Sequence, residues 1–174
     1  MRRLYLAYGS NLHPVRLTER VPSARLVGTA RLPGWQVAFV KRGRDGSGKA
    51  SLVFTDQAEH AAYGAVYALE ARHKPVLDAI EGLGRGYDER ALEVSVNGRL
   101  ACVFTYVAGA GFTAAGLAPY DWYRALVTAG AHHHGFPADY VGALAAVHTR
   151  PDPDRQRRAR HTALLERLAR ASIG

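Results

Sequence analysis

The chain predicts an α+β fold built around an antiparallel or mixed sheet. Two observations carry this. About seven strand-like segments crowd the stretch from Arg3 to Val107, with only short helical runs between them. The residues after that stretch are mostly helical in pattern. A doubly wound parallel sheet needs a crossover, usually helical, between consecutive strands, and this chain does not supply one each time.

The elements follow in order. Arg3–Tyr8 is an apolar run that reads as the first strand, and Pro14–Arg20 as a short helix. Ser23–Leu32 and Trp35–Lys41 read as a strand pair joined at Pro33-Gly34. Residues 41–49 read as a flexible polar loop. That loop lacks the Gly-Lys-Ser/Thr ending of a phosphate loop and opens no helix. Ala50–Thr55 and Ala62–Leu69 are two more strands, followed by a helix over Arg72–Glu81 with Pro75 in its first turn, where proline is tolerated. Glu89–Val96 and Arg99–Val107 flank Asn97-Gly98, the strongest short hairpin signal in the chain. Tyr120–His134 is a helix ended by Gly135 with Pro137 just beyond, and a further helix spans about Ala138–Ala146. After Pro151-Asp152-Pro153-Asp154 a terminal helix carries one apolar stripe, Leu164, Leu165, Leu168 and Ala171.

A length of 174 residues suits one domain with a full core. We expect that domain over 1–148 and a basic helical extension over 149–174 packed on it. Hydrophobic residues make up 48% of the chain and charged residues 22%, as in ordinary globular proteins. No apolar run approaches the ~18 residues a membrane span needs, so no membrane partner is expected. Met1-Arg2-Arg3-Leu4 has no apolar signal core, and the single cysteine, Cys102, cannot form an internal disulfide. These points predict a reducing cytoplasm. Cys102 lies in an alternating run with Leu100, Phe104 and Tyr106, which predicts a buried small hydrophobe and not a nucleophile.

The net charge is +8, and about half of that excess lies from Arg150 onward, in seven arginines against Asp152, Asp154 and Glu166. No recognised DNA- or RNA-binding signature accompanies it, so a solvated helix face is expected and nucleic acid is not. A positive field would also speed encounter with an anionic small substrate. His132, His133 and His134 resemble a metal site only superficially. Helical neighbours point about 100° apart, so three adjacent imidazoles cannot converge on one ion. A helix end favoured by the dipole explains them, and neither metal nor cofactor is expected.

Two segments carry chemistry. Tyr8-Gly9-Ser10-Asn11-Leu12 follows the first strand. Gly9 can supply the positive φ of a sharp exit, and Ser10 and Asn11 form turns. The result is a nest of N–H groups suited to an anion such as a carboxylate. A plain strand-to-helix turn with Asn11 capping the segment from Pro14 is the alternative. In the second segment, Leu77 to Tyr87, Glu81 stands where its helix must stop, because Gly82, Gly84 and Gly86 follow. The dipole is negative there, which disfavours the charged carboxylate and suits it to proton transfer. The alternative is a surface Glu on a last helical turn.

Together these segments resemble the gamma-glutamylcyclotransferase superfamily, which includes the AIG2-like and BtrG-like proteins. Tyr8 to Leu12 match its opening signature, and Leu77, Asp78, Glu81, Gly82 and Tyr87 fit its second. Tyr123, Gly130-Ala131, Gly135-Phe136-Pro137 and Tyr140 look like its carboxyl-terminal helices. The resemblance covers roughly residues 3–148. It implies a small mixed β-barrel with flanking helices and intramolecular aminolysis of a γ-glutamyl amide, releasing 5-oxoproline and a free amine. It implies Glu81 as the catalytic acid/base and the Gly9–Leu12 turn as binder of the substrate α-carboxylate. Tyr87 and Tyr123 would contact the glutamyl moiety or Glu81, and Tyr8 would form the pocket wall. The substrate supplies the nucleophile, consistent with the absence of a Gly-x-Ser-x-Gly elbow or a Cys–His pair. A non-catalytic binding module on the same fold is the alternative, and retention of Glu81 argues against it.

Overall fold

The structure is a computed structural model that describes residues 1–171, so the last three residues of the expected extension lie outside it. Five strands form a mixed sheet: β1 (Arg2–Ala7), β2 (Arg25–Pro33), β5 (Ala61–Glu70), β6 (Tyr87–Val96) and β7 (Arg99–Ala108), in the order β2-β5-β1-β7-β6. β3 (Trp35–Arg42) and β4 (Gly48–Phe54) form a second, two-stranded antiparallel sheet. The helices are α1 (Pro14–Arg20), α2 (Lys74–Glu81), α3 (Asp121–His133), α4 (Ala138–Ala146) and α5 (Arg155–Ala171). No helix among the described residues is long and apolar enough to cross a membrane.

The first strand is the middle strand. β1 pairs antiparallel with β5 and parallel with β7, with Tyr5 opposite Phe104. Leu6, Ala7, Val66, Tyr67 and Leu69 are fully buried around it, each large apolar side chain contributing about 1.5–3 kcal/mol by leaving water. The sheet curls until its edges meet. Asn97 at the β6–β7 turn donates to the Val27 carbonyl of β2 at 2.9 Å, and a Cβ on Gly28 would fall 2.8 Å from Val96 Cγ1. The smaller sheet joins where Ala108 N donates to Ser51 Oγ at 2.9 Å. This is the mixed barrel with flanking helices.

Three expectations change. β2 and β3 do not pair across Pro33-Gly34: β2 pairs with β5 and β3 with β4, so the chain crosses between sheets there. The 41–49 segment is ordered by its own contacts. Asp45 accepts from Ser47 N at 3.0 Å, Ser47 Oγ at 2.7 Å and Lys49 Nζ at 2.8 Å. Cys102 is exposed, not buried. The burial pattern of β7 changes at Val103: Leu100 and Cys102 lie on an open face, whereas Phe104 and Tyr106 lie beneath α2.

α5 packs through buried Leu164 and Leu168. Asp152, on the approach to α5, is buried and accepts from Trp122 Nε1 at 2.8 Å and Arg157 Nε at 2.6 Å. His161 stacks on the Trp122 ring at 3.7 Å, and Arg167 pairs with Glu19 of α1 at 2.9 Å.

Candidate active site

The turn after β1 and the end of α2 come together. Asn11 Nδ2 donates to Glu81 Oε1 at 2.6 Å, while Asn11 Oδ1 accepts from Arg20 Nη1 at 2.8 Å. The buried Asn11 side chain thus links a guanidinium to the carboxylate. It does not cap α1; His13 does, its Nδ1 accepting from Val15 N at 3.3 Å. Glu81 is the last residue of α2, and Gly82 terminates that helix at φ 69°, a left-handed conformation that favours glycine.

Gly9 is required for a different reason from the one the sequence suggests. Its φ is not positive; instead the chain passes close to β4, where a Cβ would stand 3.3 Å from Ala50 Cβ. Leu12 is committed inside the turn. Its N–H donates to Gly9 O at 3.0 Å, and its carbonyl accepts from Tyr67 OH at 2.7 Å and lies 2.9 Å from His134 Nε2. Leu12 therefore leaves the expected carboxylate-binding nest, whose remaining amides, those of Ser10 and Asn11 among them, donate to no group among the described residues. His134 belongs to the support of this turn, whereas His132 is exposed. The ring of His133 lies 4.4 Å from that of buried His13.

Behind Glu81 is a small recess of about 20 Å³, room for about one water, walled by Tyr5, Tyr8, Tyr87, Tyr106 and Tyr123. Tyr8 OH donates to the Tyr106 carbonyl, and Tyr106 OH to Asp78 Oδ1 at 2.5 Å. Tyr87 OH donates to Ala50 O at 2.7 Å, and Tyr123 OH accepts from Ala50 N at 3.1 Å. Burial raises the proton affinity of these phenols, with the Glu81 charge adding to it.

In front of Glu81 lies a larger cavity of about 280 Å³, which shares Ser10, Tyr87 and Tyr123 with the recess. Its remaining wall was not foreseen from the sequence: Arg16 and Arg20 of α1, Lys41, Arg44 and Lys49 of the 41–49 region, and Arg85. Trp122 and His161 close one side. The available signal was the i, i+4 spacing of Arg16 and Arg20 on the helix that follows the turn.

Glu81 has a raised pKa. The leading cause is desolvation by burial, not the helix dipole, and Arg20, Asn11, Arg16 and Lys41 pull the other way. A carboxylate that is more basic than an exposed one yet ringed by cations can accept a proton and return it. Among the described residues no group of three or more His, Cys, Asp or Glu could hold a metal ion.

The AIG2-like family matches residues 61–144, the span that contains Glu81, Tyr87 and Tyr123. The fold is that of a structure described as a gamma-glutamyl cyclotransferase, with a TM-score of 0.81 at 21% identity, covering 96% of this chain and 99% of that one. An uncharacterized Homo sapiens protein aligns with a TM-score of 0.75 at 25% identity, over 86% of this chain and 89% of its own. A yeast gamma-glutamyl cyclotransferase described as specific to glutathione aligns over 97% of this chain and 96% of its own, with a TM-score of 0.53 at 14% identity. No curated protein matches the sequence. The family match over residues 61–144 and the shared fold agree with the two motifs that meet at Glu81, and together they support a likeness to the AIG2-like, gamma-glutamylcyclotransferase superfamily.

Proposed function

We propose that this protein is a γ-glutamyl cyclotransferase. The observation that supports it most is the meeting of Glu81 with the Ser10–Asn11 turn through the 2.6 Å Asn11 contact, at the floor of a cavity. The substrate α-carboxylate binds at the Ser10 and Asn11 amides. Tyr87 and Tyr123 flank the glutamyl chain and hold it folded. Glu81 takes a proton from the substrate α-ammonium. The freed amine attacks the γ-carbonyl carbon, so a new C–N bond closes a five-membered ring. The original amide C–N bond then breaks as Glu81 returns that proton to the departing nitrogen, and the second proton of the ring nitrogen passes through Glu81 to the same amine, which leaves as an ammonium. The products are 5-oxoproline and a free amine.

Because both reacting groups belong to one molecule, positioning carries much of the rate, of order several kcal/mol in such closures. The protein adds one proton shuttle and a water-poor site. The reaction would take place in the reducing cytoplasm.

Glu81→Gln tests this reading. It keeps size and hydrogen bonding but cannot shuttle a proton at neutral pH. Release of 5-oxoproline from γ-glutamyl compounds should fall by ~10²–10⁴-fold, with the thermal midpoint and 5-oxoproline binding retained. Glu89→Gln is the control, since Glu89 sits on β6 in ion pairs with Lys74 at 2.5 Å and Arg3 at 3.4 Å, away from the cavity. Near-wild-type turnover by Glu81→Gln would overturn the mechanism.

A further inference from the structure

The wall of the larger cavity holds far more positive charge than its own acids balance. Of its six basic side chains, only Lys49 makes an ion pair among the described residues, with Asp45 at 2.8 Å. Arg16 is only 5% exposed and Lys41 only 8%. Arg16 Nε is buried with no hydrogen-bond partner. Lys41 rests over the Tyr87 ring at 4.7 Å, and Arg20 spends a donor on the neutral Asn11 amide. Burial without a partner weakens the hold of Arg16 and Lys41 on their protons, and Arg20 beside Arg16 adds to this.

Buried cations without counter-ions are costly, of order several kcal/mol each. Such a cost is offset when an anion enters. One substrate carboxylate, that of the glutamyl half, already has the Ser10 and Asn11 amides. The one acid that lines the cavity, Glu81, acts on Arg16, Arg20 and Lys41 only at a distance and can balance one of the six charges at most. The surplus therefore faces the other half of the substrate.

We infer that the departing amine of the substrate is itself polyanionic: a γ-glutamyl amide whose amine half carries two or more negative charges, as carboxylates or a phosphate. This rests on the cyclotransferase reading above. Arg16, Arg20 and Lys41 bind the inner charge, and exposed Arg44 and Arg85 bind the outer one. Guanidinium groups suit both carboxylate and phosphate, because their N–H forks match either oxyanion. Polycationic amine halves are excluded by like-charge repulsion.

The test is a charge series with a constant γ-glutamyl group: γ-glutamyl-glutamate and γ-glutamyl-O-phosphoserine, γ-glutamyl-alanine, γ-glutamyl-ethylamine, and γ-glutamyl-1,5-diaminopentane. The first two distinguish dicarboxylate from phosphate. We expect kcat/KM for the better of these two to exceed that of the ethylamide by about tenfold or more. The gap should narrow as salt rises from about 20 to 500 mM. Arg16→Met should shrink that ratio; should it fail to fold, the Arg44→Ser/Arg85→Ser double variant on exposed positions should shrink it too. Equal or better turnover of the neutral or cationic amides overturns the inference. Binding of the same series to Glu81→Gln, read by calorimetry, reports the preference without turnover, and a flat affinity across the series also overturns it. If every compound is inert with the wild type while the affinity order survives, the cyclotransferase reading fails and the anion preference stands.

Discussion

Behind Glu81 the wall is tyrosine; in front of it the wall is arginine and lysine. The two spaces share Ser10, Glu81, Tyr87 and Tyr123, yet they settle their polar groups in opposite ways. In the recess the hydroxyls of Tyr8, Tyr87 and Tyr106 each donate to a named acceptor of the protein itself. In the outer cavity five of six cations are left without an ion pair among the described residues. A satisfied wall is stiff and holds geometry. An unsatisfied wall is a binding surface awaiting its complement. Within the proposed function, the recess fixes Glu81 and the outer cavity selects what may sit before it.

Removing Asp152 should have the largest effect on stability and should act on the outer cavity alone. Its buried carboxylate holds Trp122 and Arg157, and Arg157 draws the Asp152 carboxyl well below the ordinary carboxylate range. Asp152→Ala leaves that pairing broken, which costs about 3–5 kcal/mol for buried pairs. Chemical denaturation should show this loss. At temperatures where the variant stays folded, KM should rise more than kcat falls, because Trp122 walls the cavity and not the recess. An equal loss in kcat would erase the distinction between the two walls.

A smaller and opposite effect is expected where α3 presses on the turn. A Cβ on Gly130 would lie 2.7 Å from Leu12 Cβ and 2.9 Å from His13 N. Gly130→Ala should destabilise by about 1–3 kcal/mol through overpacking. It should also lower kcat, because the turn carries Ser10 and Asn11. Gly142 in α4 has nothing within 4 Å of such a Cβ. Gly142→Ala should therefore be neutral or stabilising by up to about 1 kcal/mol, the helix-propensity difference. Thermal midpoints of the pair measure how tightly the turn is gripped.

The mildest perturbation is pH. Glu81 titrates above its ordinary value of 4.5, so kcat/KM should rise as pH increases through a midpoint higher than that of an exposed glutamate. Stability has a separate acid limb. Burial, with His133 and His134 nearby, lowers the His13 pKa to about 4 from 6.5, and burial does the same to His161. The unfolded chain therefore binds more protons between those values, and stability rises with pH across that window and levels off above 6.5. A midpoint in thermal unfolding that is flat from pH 4 to 6.5 would remove the buried neutral histidines from the account.

Much of this arrangement can be read in the sequence because the reacting pieces sit in local signals. Gly82 must end α2, so Glu81 had to stand at a helix terminus, and the turn at Tyr8–Leu12 had to leave a strand. The cationic wall was not legible. Arg16, Lys41 and Arg85 look in sequence like any solvated charge; only the folding of three separate segments onto one cavity makes them neighbours. Pro33-Gly34 misled for a related reason. It has the residues of a hairpin turn, but β2 gives one edge to β5 and curls the other towards the β6–β7 turn, while β3 leaves to pair with β4. Cys102 shows the limit of alternation, which records that two faces differ but not where cover by α2 stops.

The central place of β1 governs the order in which the molecule can be assembled. β1 has its antiparallel partner some sixty residues later and its parallel one about a hundred later, with Tyr5 opposite Phe104. The turn that follows it is held by Tyr67, Glu81 and His134, which lie 55, 70 and 122 residues beyond their partners in the turn. Contacts so distant along the chain must await loop closure, which makes folding slow relative to a helical bundle of similar size. Until those partners form, β1 holds an unpaired apolar edge, the kind of surface that a chaperone masks.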